Sequence, residues 1–490
     1  MTPGALAALI DSALSQLPTA ALPKRIVLGY SGGLDSEVLA CALGQFKQAP
    51  NSDAIECLLV HVHHGLSANA DAWAAHCRER AAIYGLPLVV EQVSVKQGPR
   101  LSLEAEARNA RYRALCAHLQ AGDVLLTAHH QDDQLETVLL ALTRGLGPKG
   151  LAAMGVCQSL RLDSANEAEA ATNEQGADDV KGRARCAFQL RPFLHLSRDE
   201  LKQASDNLGL VHINDESNAD TRFDRNYLRL EVIPKLTARW GAIAATASRS
   251  ARLCAESQSL LDDEARQRLA PLLDTCPYSV QPRLKLGPLA AMSKPWRAQL
   301  IRHFLLENRL APPSEVQLDE ALSQLLAARA DASVEMQFGA TRLRRFQDWL
   351  YADTVSPERS GNATPNATLG VNSAITLAEL KAGMDTPQGQ VRLLPAEGAQ
   401  FAIAATALEG QLSLGYGLPG SLKARPAGRV HSRELKKLWQ EQGVPSWLRA
   451  TIPMLMCDGK LVAAMGVWIE ADACAKAGEP GFSVQLSRRP

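Results

Sequence analysis

The sequence predicts an α/β protein: a doubly wound parallel sheet, followed by a mainly helical middle region and a small α+β domain at the C-terminal end. Two observations lead to this fold class. Short apolar runs of strand type alternate with helical segments over roughly residues 20–215, a pattern typical of parallel sheets. Farther along, helical periodicity prevails, and strand-like runs with Gly and Pro turns return only near the end of the chain.

Four short apolar runs predict the strands of the sheet. They lie at residues 25–30, 58–63, 88–93 and 124–128, with helical segments between them. A parallel sheet needs such crossover helices, because its strands all run in the same direction. The alternation therefore predicts that the strands end at a common edge of the sheet, where doubly wound proteins bind ligands.

Composition divides the chain into four regions. We expect a catalytic α/β domain at 1–216, a helical middle domain at 217–352, a linker at 353–389 and an α+β domain at 390–490. Within the first domain, residues 163–180 hold six acidic residues and no basic one, which predicts a solvated insertion.

Charge and cysteine usage narrow the class of protein. The chain has 490 residues with 52 basic and 52 acidic side chains, so any nucleic acid must be held by local basic patches. Its ten cysteines form no C-x-x-C pair, as expected for reduced thiols in the cytoplasm. The first helix carries an acid within its apolar stripe and no later apolar run is long enough for a bilayer, so we expect neither a signal peptide nor a membrane span.

The most informative stretch is Ser31-Gly32-Gly33-Leu34-Asp35-Ser36, which directly follows a predicted strand and directly precedes a helix. Glycines let the backbone turn sharply, and the amides of such a loop and of the helix start point at an anion. The two serines add hydroxyl donors, and Asp35 can hold a divalent metal or orient an amine. The loop predicts a phosphate site, although it lacks the lysine of a Walker loop.

Gly29-Tyr30-Ser31-Gly32-Gly33 also satisfies the G-x-S-x-G elbow of α/β-hydrolases, with Ser31 as nucleophile. A hydrolase elbow follows several strands, whereas one predicted strand precedes Ser31 here. A hydrolase also has no use for an acid and a second serine just beyond the elbow. The phosphate site is therefore the better interpretation.

Two further motifs accompany the loop. Asp132, Asp133 and Glu136 follow a predicted strand and open a helix, where they either meet the helix dipole or bind Mg²⁺. Arg108 and Arg111 share one helical face, and spacing alone fits a solvated face paired with Glu104 as well as a phosphate clamp.

The motifs together resemble those of the PP-loop ATP pyrophosphatases, and among them the tRNA(Ile)-lysidine synthetases. SGGLDS resembles the signature loop of the group, and four other segments are similar to motifs of the synthetases: His61–Leu66 (HVHHGL), Glu104–Tyr112 (EAEARNARY), Thr127–Thr137 (TAHHQDDQLET), and Asp215–Asn218 (DESN) with Arg225–Arg229 (RNYLR). His63 replaces the acid or amide more usual in that family.

The resemblance implies a reaction and its partners. ATP and Mg²⁺ would activate C2 of the wobble cytidine in an isoleucine tRNA with a CAU anticodon, by adenylation, and free L-lysine would then replace the oxygen. The expected residues are, for catalysis, Asp35, Arg108, Arg111, Asp132 and Asp133; for ATP, Ser31, Gly32, Gly33, Leu34, Asp35, Ser36 and His64; for the metal, Asp35, Asp132, Asp133 and Glu136; and for tRNA, Arg225, Arg229, Arg433, Lys436 and Lys437.

The residues expected to bind tRNA near the end of the chain belong to Lys423–Arg449, a segment that contains seven basic and two acidic residues. Trp439 and Trp447 lie in the same segment and fit core anchors better than base-stacking platforms. Arg342, Arg344 and Arg345 form a second, smaller candidate patch.

Two other functions share some of these features. A tRNA thiolase of the PP-loop group would use the same ATP site, but related thiolases commonly carry paired cysteines. A non-enzymatic RNA-binding protein would keep the basic patches and have no reason for SGGLDS. The oligomeric state is left open, with a homodimer among the alternatives.

Overall fold

The computed structural model describes residues 2–19, 22–49, 52, 54–65, 67–95, 98, 103–162, 186–280, 282–329, 334–355, 373–397 and 402–487. The chain divides into two compact units, Met1–Asp263 and Glu264–Pro490. The predicted acidic insertion at 163–180 lies outside the described residues, as do residues 356–372 of the predicted linker. The domain limits drawn from the sequence stay predictions.

A six-stranded sheet organises the first unit. Its strands are β1 (Arg25–Gly29), β2 (Glu56–His63), β3 (Leu88–Gln92), β4 (Val124–Leu126), β5 (Cys157–Arg161) and β6 (Cys186–Leu190). Their order across the sheet is β3-β2-β1-β4-β6-β5, and every neighbouring pair is parallel except β5 with β6. This confirms the doubly wound parallel sheet expected from the sequence.

Helices and helical turns connect these strands and continue beyond them. They are α1 (Pro3–Leu14), α2 (Leu34–Lys47), α3 (Ala70–Tyr84), α4 (Leu103–Cys116), α5 (Gln131–Thr143), α6 (Pro148–Leu151), α7 (Arg198–Asn207), α8 (Asp224–Tyr227), α9 (Ile233–Arg239) and α10 (Ile243–Leu269). A π-helical turn, Leu228–Val232, lies between α8 and α9. Local chemistry sets several of the ends: Gly85 closes α3 in the left-handed conformation, and the Ser197 hydroxyl caps α7.

The central strands read as continuous apolar runs because both of their faces are covered. Leu28, Leu59 and Leu126 are fully buried in one core cluster, and Val27 and Leu125 point into a second cluster on the other face. Burial of these strands fixes the edge at which the connecting loops emerge.

A charged group also lies in this interior. The carboxylate of Glu37, on α2, is fully buried and accepts hydrogen bonds from the hydroxyls of Tyr30 and Tyr84 and from Arg80 Nε at 2.6 Å. Because Arg80 and Tyr84 belong to α3, the carboxylate joins α2 to α3 just beyond the loop that begins α2.

The second unit is built from antiparallel sheets and short helices. Its strands are β7 (Leu273–Thr275), β8 (Pro282–Lys285), β9 (Val334–Phe338), β10 (Thr341–Phe346), β11 (Trp349–Thr354), β12 (Ser373–Ile375), β13 (Met384–Thr386), β14 (Gly389–Glu397), β15 (Ile403–Ala404), β16 (Leu412–Gly415), β17 (Lys423–Ala424), β18 (Arg433–Glu434), β19 (Met454–Cys457), β20 (Lys460–Ala464), β21 (Trp468–Ile469) and β22 (Pro480–Ser487). Its helices are α11 (Leu286–Ala290), α12 (Lys294–Glu307), α13 (Glu315–Ala327), α14 (Leu377–Ala382), α15 (Leu435–Glu441) and α16 (Ser446–Arg449).

Three larger sheets are present, in the orders β7-β8-β11-β10-β9, β12-β16-β19-β20-β21 and β13-β14-β22-β15. The last two confirm the small α+β domain. The first lies in the region expected to be mainly helical and was not predicted; it packs with α12 and α13 around Leu284, Leu300 and Leu343. In the parts of the chain that the structure describes, no helix is long and apolar enough to cross a membrane.

Candidate active site at the carboxyl edge of the parallel sheet

The loop Ser31–Ser36 leaves the end of β1 and begins α2. Gly32 has a φ of +79°, and its carbonyl accepts the backbone amide of Ile213 at 2.8 Å. A Cβ atom at Gly32 would lie 2.5 Å from Cδ1 of Ile213. Glycine is therefore required at this position both for the left-handed conformation and for the close packing.

The hydroxyl groups of the loop face each other. Ser31 Oγ and Ser36 Oγ are 3.0 Å apart, and Ser36 Oγ donates to the carbonyl of Gly33 at 3.0 Å. The opening amides of α2 have no acceptors within the helix. Two hydroxyls and a helix N-terminus thus meet in the loop that the sequence predicts to be a phosphate site.

His130 lies at the centre of the acidic residues. Its Nε2 is 3.6 Å from Asp35 and 3.5 Å from Asp133, and its Nδ1 is 3.6 Å from Asp132. Burial lowers the pKa of His130, but contacts with Asp132 and Asp35 and the charge of Asp133 raise it to about 10. The ring is therefore a cation at neutral pH and links the loop after β1 to the acidic cluster after β4.

Glu136 belongs to the same helix but has another partner. It is almost fully buried and accepts Arg229 Nε at 2.7 Å, while Arg229 Nη2 lies 3.5 Å from Asp133. The repulsion expected among the acids is thus offset by two cations of the chain, His130 and Arg229. Arg229 faces this cluster and keeps 28% of its side chain exposed.

Arginines from α4, from α8 and from the end of β6 lie near two imidazoles beside the cluster. Burial lowers the pKa of His129 well below its usual value, and the charges of Arg191, Arg108 and Arg225 act in the same direction. Burial likewise lowers the pKa of His64 to about 4, assisted by the charge of Arg111. Both rings are therefore neutral at pH 7 in a positively charged surrounding suited to phosphate.

The described side chains of the arginine helix α4 do not form the Glu104–Arg108 pair that their spacing in the sequence suggested. Arg108 lies over the Tyr112 ring, 5.0 Å from its centre, and the Arg111 side chain is exposed. Glu104, expected to pair with Arg108, instead lies 3.9 Å from Arg225 on α8. Arg108 and Arg111 are therefore not tied to a carboxylate within their own helix in the described contacts.

A buried polar network supports this side of the site and was missed by sequence reasoning. Arg191, directly after β6, donates to the side chains of Gln158 and Gln189 at 3.0 and 2.8 Å. Gln189 in turn donates to the Tyr112 hydroxyl at 3.0 Å and to Thr127 at 2.9 Å. The network ties β4, β6 and α4 together beneath His129, and the signal for it was a glutamine and an arginine at the end of an otherwise apolar strand.

Three family models match consecutive parts of the chain. They describe a PP-loop domain at residues 7–236, a TilS substrate binding domain at 284–351 and a TilS substrate C-terminal domain at 412–486. The tRNA(Ile)-lysidine synthase of Shewanella oneidensis is 46% identical over 483 residues, which cover 97% of each chain. The chain belongs to the tRNA(Ile)-lysidine synthase family. The enzyme of that name from Escherichia coli O157:H7 is 40% identical, over 95% of this chain and 97% of the relative.

A solved structure of a U34-tRNA thiolase from Methanococcus maripaludis is 14% identical, with a TM-score of 0.37 over 52% of this chain and 79% of that one. This similarity is too low to bear on the reaction. The ten cysteines are free, and the curated relatives are lysidine synthases, so the thiolase alternative has little support. Among the described contacts, Ser31 has no imidazole partner of the kind that a hydrolase nucleophile needs.

The residues expected to bind tRNA lie in both units. Arg225 and Arg229 belong to the active-site unit. In the second unit, Arg433 forms an ion pair with Glu441, and Lys437 is 4.0 Å from Glu434. Lys436 is exposed on α15.

Two other expectations for the second unit have clear outcomes. The prediction that Arg342, Arg344 and Arg345 form a phosphate-binding patch is wrong. Arg344 and Arg345 are buried, and Asp353 pairs with Arg342 and Arg344. Trp439 packs on Trp468 with ring centres 4.5 Å apart, which confirms its place in the core. Trp447 contacts Tyr351 and Phe346 edge to face and carries Arg344 over its ring.

Proposed function

We propose that the first unit of this lysidine synthase activates the wobble cytidine of an isoleucine tRNA with a CAU anticodon and joins free L-lysine to it. The cytidine O2 attacks the α-phosphorus of ATP, and pyrophosphate leaves. The ε-amine of lysine then attacks C2, loses its extra proton, and AMP departs with the oxygen. The product, lysidine, changes codon reading from AUG to AUA.

One observation supports this chemistry above the others. The phosphate loop after β1 and the acidic cluster after β4 lie at the carboxyl ends of neighbouring parallel strands. The order in which the chain adds strands to the sheet reverses between these two strands, and His130 bridges the loop and the cluster. An activation reaction requires ATP and the acceptor base to meet at one point, and this edge brings an anion site and carboxylates together. We expect the pyrophosphate to leave into the loop and Arg108 or Arg111 to stabilise the charge that develops on it.

The carboxylates of the cluster lie in different environments. Asp35 and Asp132 are about one-third exposed, whereas Asp133 and Glu136 are buried beside Arg229. The incoming lysine ammonium needs a carboxylate to hold it and to take its proton. Asp35, Asp132 and Asp133 all remain candidates for that role.

Mg²⁺ fits the same residues. Among the described side chains no group of three is already arranged as a metal site, but Oδ1 of Asp35 is buried without a hydrogen-bond partner. Carboxylate oxygens of Asp35, Asp132 and Asp133 would hold the ion, which would supply positive charge to the phosphates. The ligand role of Glu136 also stays a prediction: Arg229 donates to its Oε1, and its Oε2 is buried without a hydrogen-bond partner. A reaction that consumes ATP and tRNA also places the enzyme in the cytoplasm.

The test follows from the order of the steps. Enzyme given ATP, Mg²⁺ and tRNA without lysine should form labelled adenylyl-tRNA from α-labelled ATP and none from γ-labelled ATP. Addition of lysine should release AMP and convert the cytidine to lysidine, read by mass spectrometry of the anticodon fragment. Label transferred from the γ-phosphate would indicate a kinase, and sulfur incorporation would indicate a thiolase.

Asp35→Ala provides the matching variant. It should keep the fold and lower the rate of adenylation by at least about a hundredfold, the scale for loss of one preorganised electrostatic group. Glu79→Ala, an exposed acid on α3, serves as control. Near-normal adenylation by the purified Asp35 variant would remove Asp35 from the site.

A further inference from the structure

Trp240 is an exposed aromatic residue of the first unit that has no role in the proposed reaction. It lies between α9 and α10 with 57% of its surface exposed. An open cavity of about 510 Å³ adjoins it, lined by Trp240, Gly241, Ala242, Ile243 and Thr246. Because the next two residues are small, the space beside the indole is left open. The position also falls between the family-model ranges 7–236 and 284–351.

The surroundings of Trp240 are basic. Residues 232–255 include Lys235, Arg239, Arg249 and Arg252 and no acidic residue. The two outer cations have ion-pair partners at the margins, Glu231 and Glu256. Arg239 and Arg249 are exposed, and neither forms an ion pair in the described structure. Arg249 follows Thr246 by three residues, which places it on the helix face that lines the cavity.

The far half of the same helix has the opposite charge. Leu260 is 72% exposed on α10, yet its neighbours along the chain include Glu256, Asp262, Asp263 and Glu264. A polyanion is repelled there and attracted to the Trp240 end. Charge therefore favours the Trp240 end of α10 over its Leu260 end as a site for nucleic acid.

The distance to the active site is short. Arg229 touches Glu136 in the acidic cluster, and the chain from Arg229 to Trp240 is the π-helical turn followed by α9. At about 1.5 Å per residue, eleven helical residues span roughly 16 Å. A few nucleotides of single-stranded RNA cover that span, so a base close to the wobble position can reach the indole.

We propose that Trp240 is a stacking platform for an unpaired base of the tRNA anticodon loop, with Arg239 and Arg249 binding the phosphates beside it. This inference rests on the proposed function, since it requires the wobble cytidine at the acidic cluster. Aromatic stacking accepts any base, so the platform holds the loop in place and leaves the choice of tRNA to other contacts.

Affinity measurements on full-length enzyme test the platform. Trp240→Ala should weaken binding of the isoleucine tRNA about tenfold, from the usual strength of base stacking, whereas Trp240→Phe should keep most of it. ATP affinity should be unchanged in both variants. Leu260→Ala, the exposed apolar residue at the acidic end of α10, should bind tRNA like the wild type. Arg239→Gln with Arg249→Gln should make the slope of log K against log salt shallower by roughly 0.7 per contact.

A positional probe identifies the base. Single 2-aminopurine substitutions through the anticodon loop should include one whose emission is quenched by wild-type enzyme and by Trp240→Phe but not by Trp240→Ala. Wild-type affinity of Trp240→Ala, with no such quenching at any position, would overturn the platform. A change in sedimentation without a change in tRNA affinity would instead make this surface a contact between two copies of the chain. The wild-type adenylation assay separates the two proposals, because the platform can fail while adenylyl-tRNA still forms.

Discussion

Gly32 is a position where two independent constraints exclude any side chain. The positive φ disfavours every residue with a Cβ, and Ile213 occupies the volume that a Cβ would need. The first constraint is conformational and the second is steric, so they contribute separately to the cost of a substitution. The shape of the phosphate loop thus depends on a segment almost two hundred residues away in sequence.

Gly32→Ala should therefore lose more stability than strain alone explains. We expect a cost above about 2 kcal/mol together with loss of ATP binding. Gly122→Ala isolates the strain, because Gly122 has a φ of +88° and open space around its Cβ position, and should cost about 1–2 kcal/mol. Ile213→Ala in the Gly32→Ala background should recover part of the difference. Equal losses for the two glycine variants, measured by denaturant unfolding, would contradict the steric account.

His64 gives a pH dependence with a definite sign. Its pKa is about 4 in the folded protein, below the usual value of about 6.5, so the unfolded chain binds a proton first as pH falls. The contribution of the neutral ring to stability is present above about pH 6.5 and is lost as pH falls toward 4. Wild type should lose more unfolding free energy than His64→Gln between pH 7 and 4.5. Parallel pH profiles for the two proteins would contradict the burial of a neutral ring.

At the scale of elements, α2 carries the start of the phosphate site at one end and a buried ion pair within its first two turns. Glu37 lies two residues beyond Asp35 and holds Arg80 of α3. A carboxylate with no exposure is stable only while its partners remain, since an unpaired buried charge is costly. The pairing therefore fixes the orientation of α2, and with it the direction in which the opening amides of α2 point toward the proposed phosphate site.

Removal of Arg80 should be severe for that reason. Arg80→Ala is expected to cost about 3–5 kcal/mol, whereas Arg78→Ala, an exposed arginine on the same helix, should stay within about 0.5 kcal/mol. Glu37→Gln in the Arg80→Ala background should restore part of the stability by removing the uncompensated charge. Thermal unfolding measures all of these variants, and similar melting temperatures for the two arginine variants would show that the pair is unimportant.

Strands β1 to β4 were predictable because burial of a strand on both faces favours a run of apolar residues, whereas β5 and β6 were not predicted. The run at 25–30, for example, corresponds to β1 at Arg25–Gly29. The sheet β7–β11 was not predictable in the same way, since β10 reads TRLRRF and its arginines resemble a surface. Asp353 on the neighbouring strand neutralises two of them, and that partner is visible only in the fold.

In the candidate site, too, some features were predictable from a local sequence pattern and others are visible only in the fold. The loop and the acids at 132, 133 and 136 could be found because each motif is local in sequence. The position of His130 between Asp35 and Asp133 depends on the pairing of β1 with β4, in which the partners Ile26 and Val124 are ninety-eight residues apart in the sequence. No local pattern contains this register.

For the whole molecule, the ATP motifs lie in the first unit and the basic segment Lys423–Arg449 lies in the second. The proposed chemistry and the tRNA contacts predicted for the basic segment thus belong to separate units. In the basic segment Arg433 is paired with Glu441 and Lys437 lies 4.0 Å from Glu434, whereas Lys436 is exposed on α15 and has no ion pair among the described contacts.

Lys436→Glu with Lys437→Glu should weaken tRNA binding and leave ATP affinity unchanged. The slope of log K against log salt should become shallower by roughly 0.7 to 0.9 for each lost phosphate contact. Lys460→Glu with Lys476→Glu makes the same change of charge on other exposed residues of the second unit. If both pairs alter the slope equally, α15 acts only through net charge and is not a binding surface.

The antiparallel pair at the edge of the first sheet has a consequence for engineering. Arg161 of β5 and Cys186 of β6 are partners in the ladder, so the chain leaves and re-enters the sheet at one place. Closure entropy grows slowly with the length of a connection between fixed ends. A fluorescent or affinity module inserted between these strands would therefore destabilise the fold little, and it would mark the enzyme at a sheet edge that β6 separates from β4.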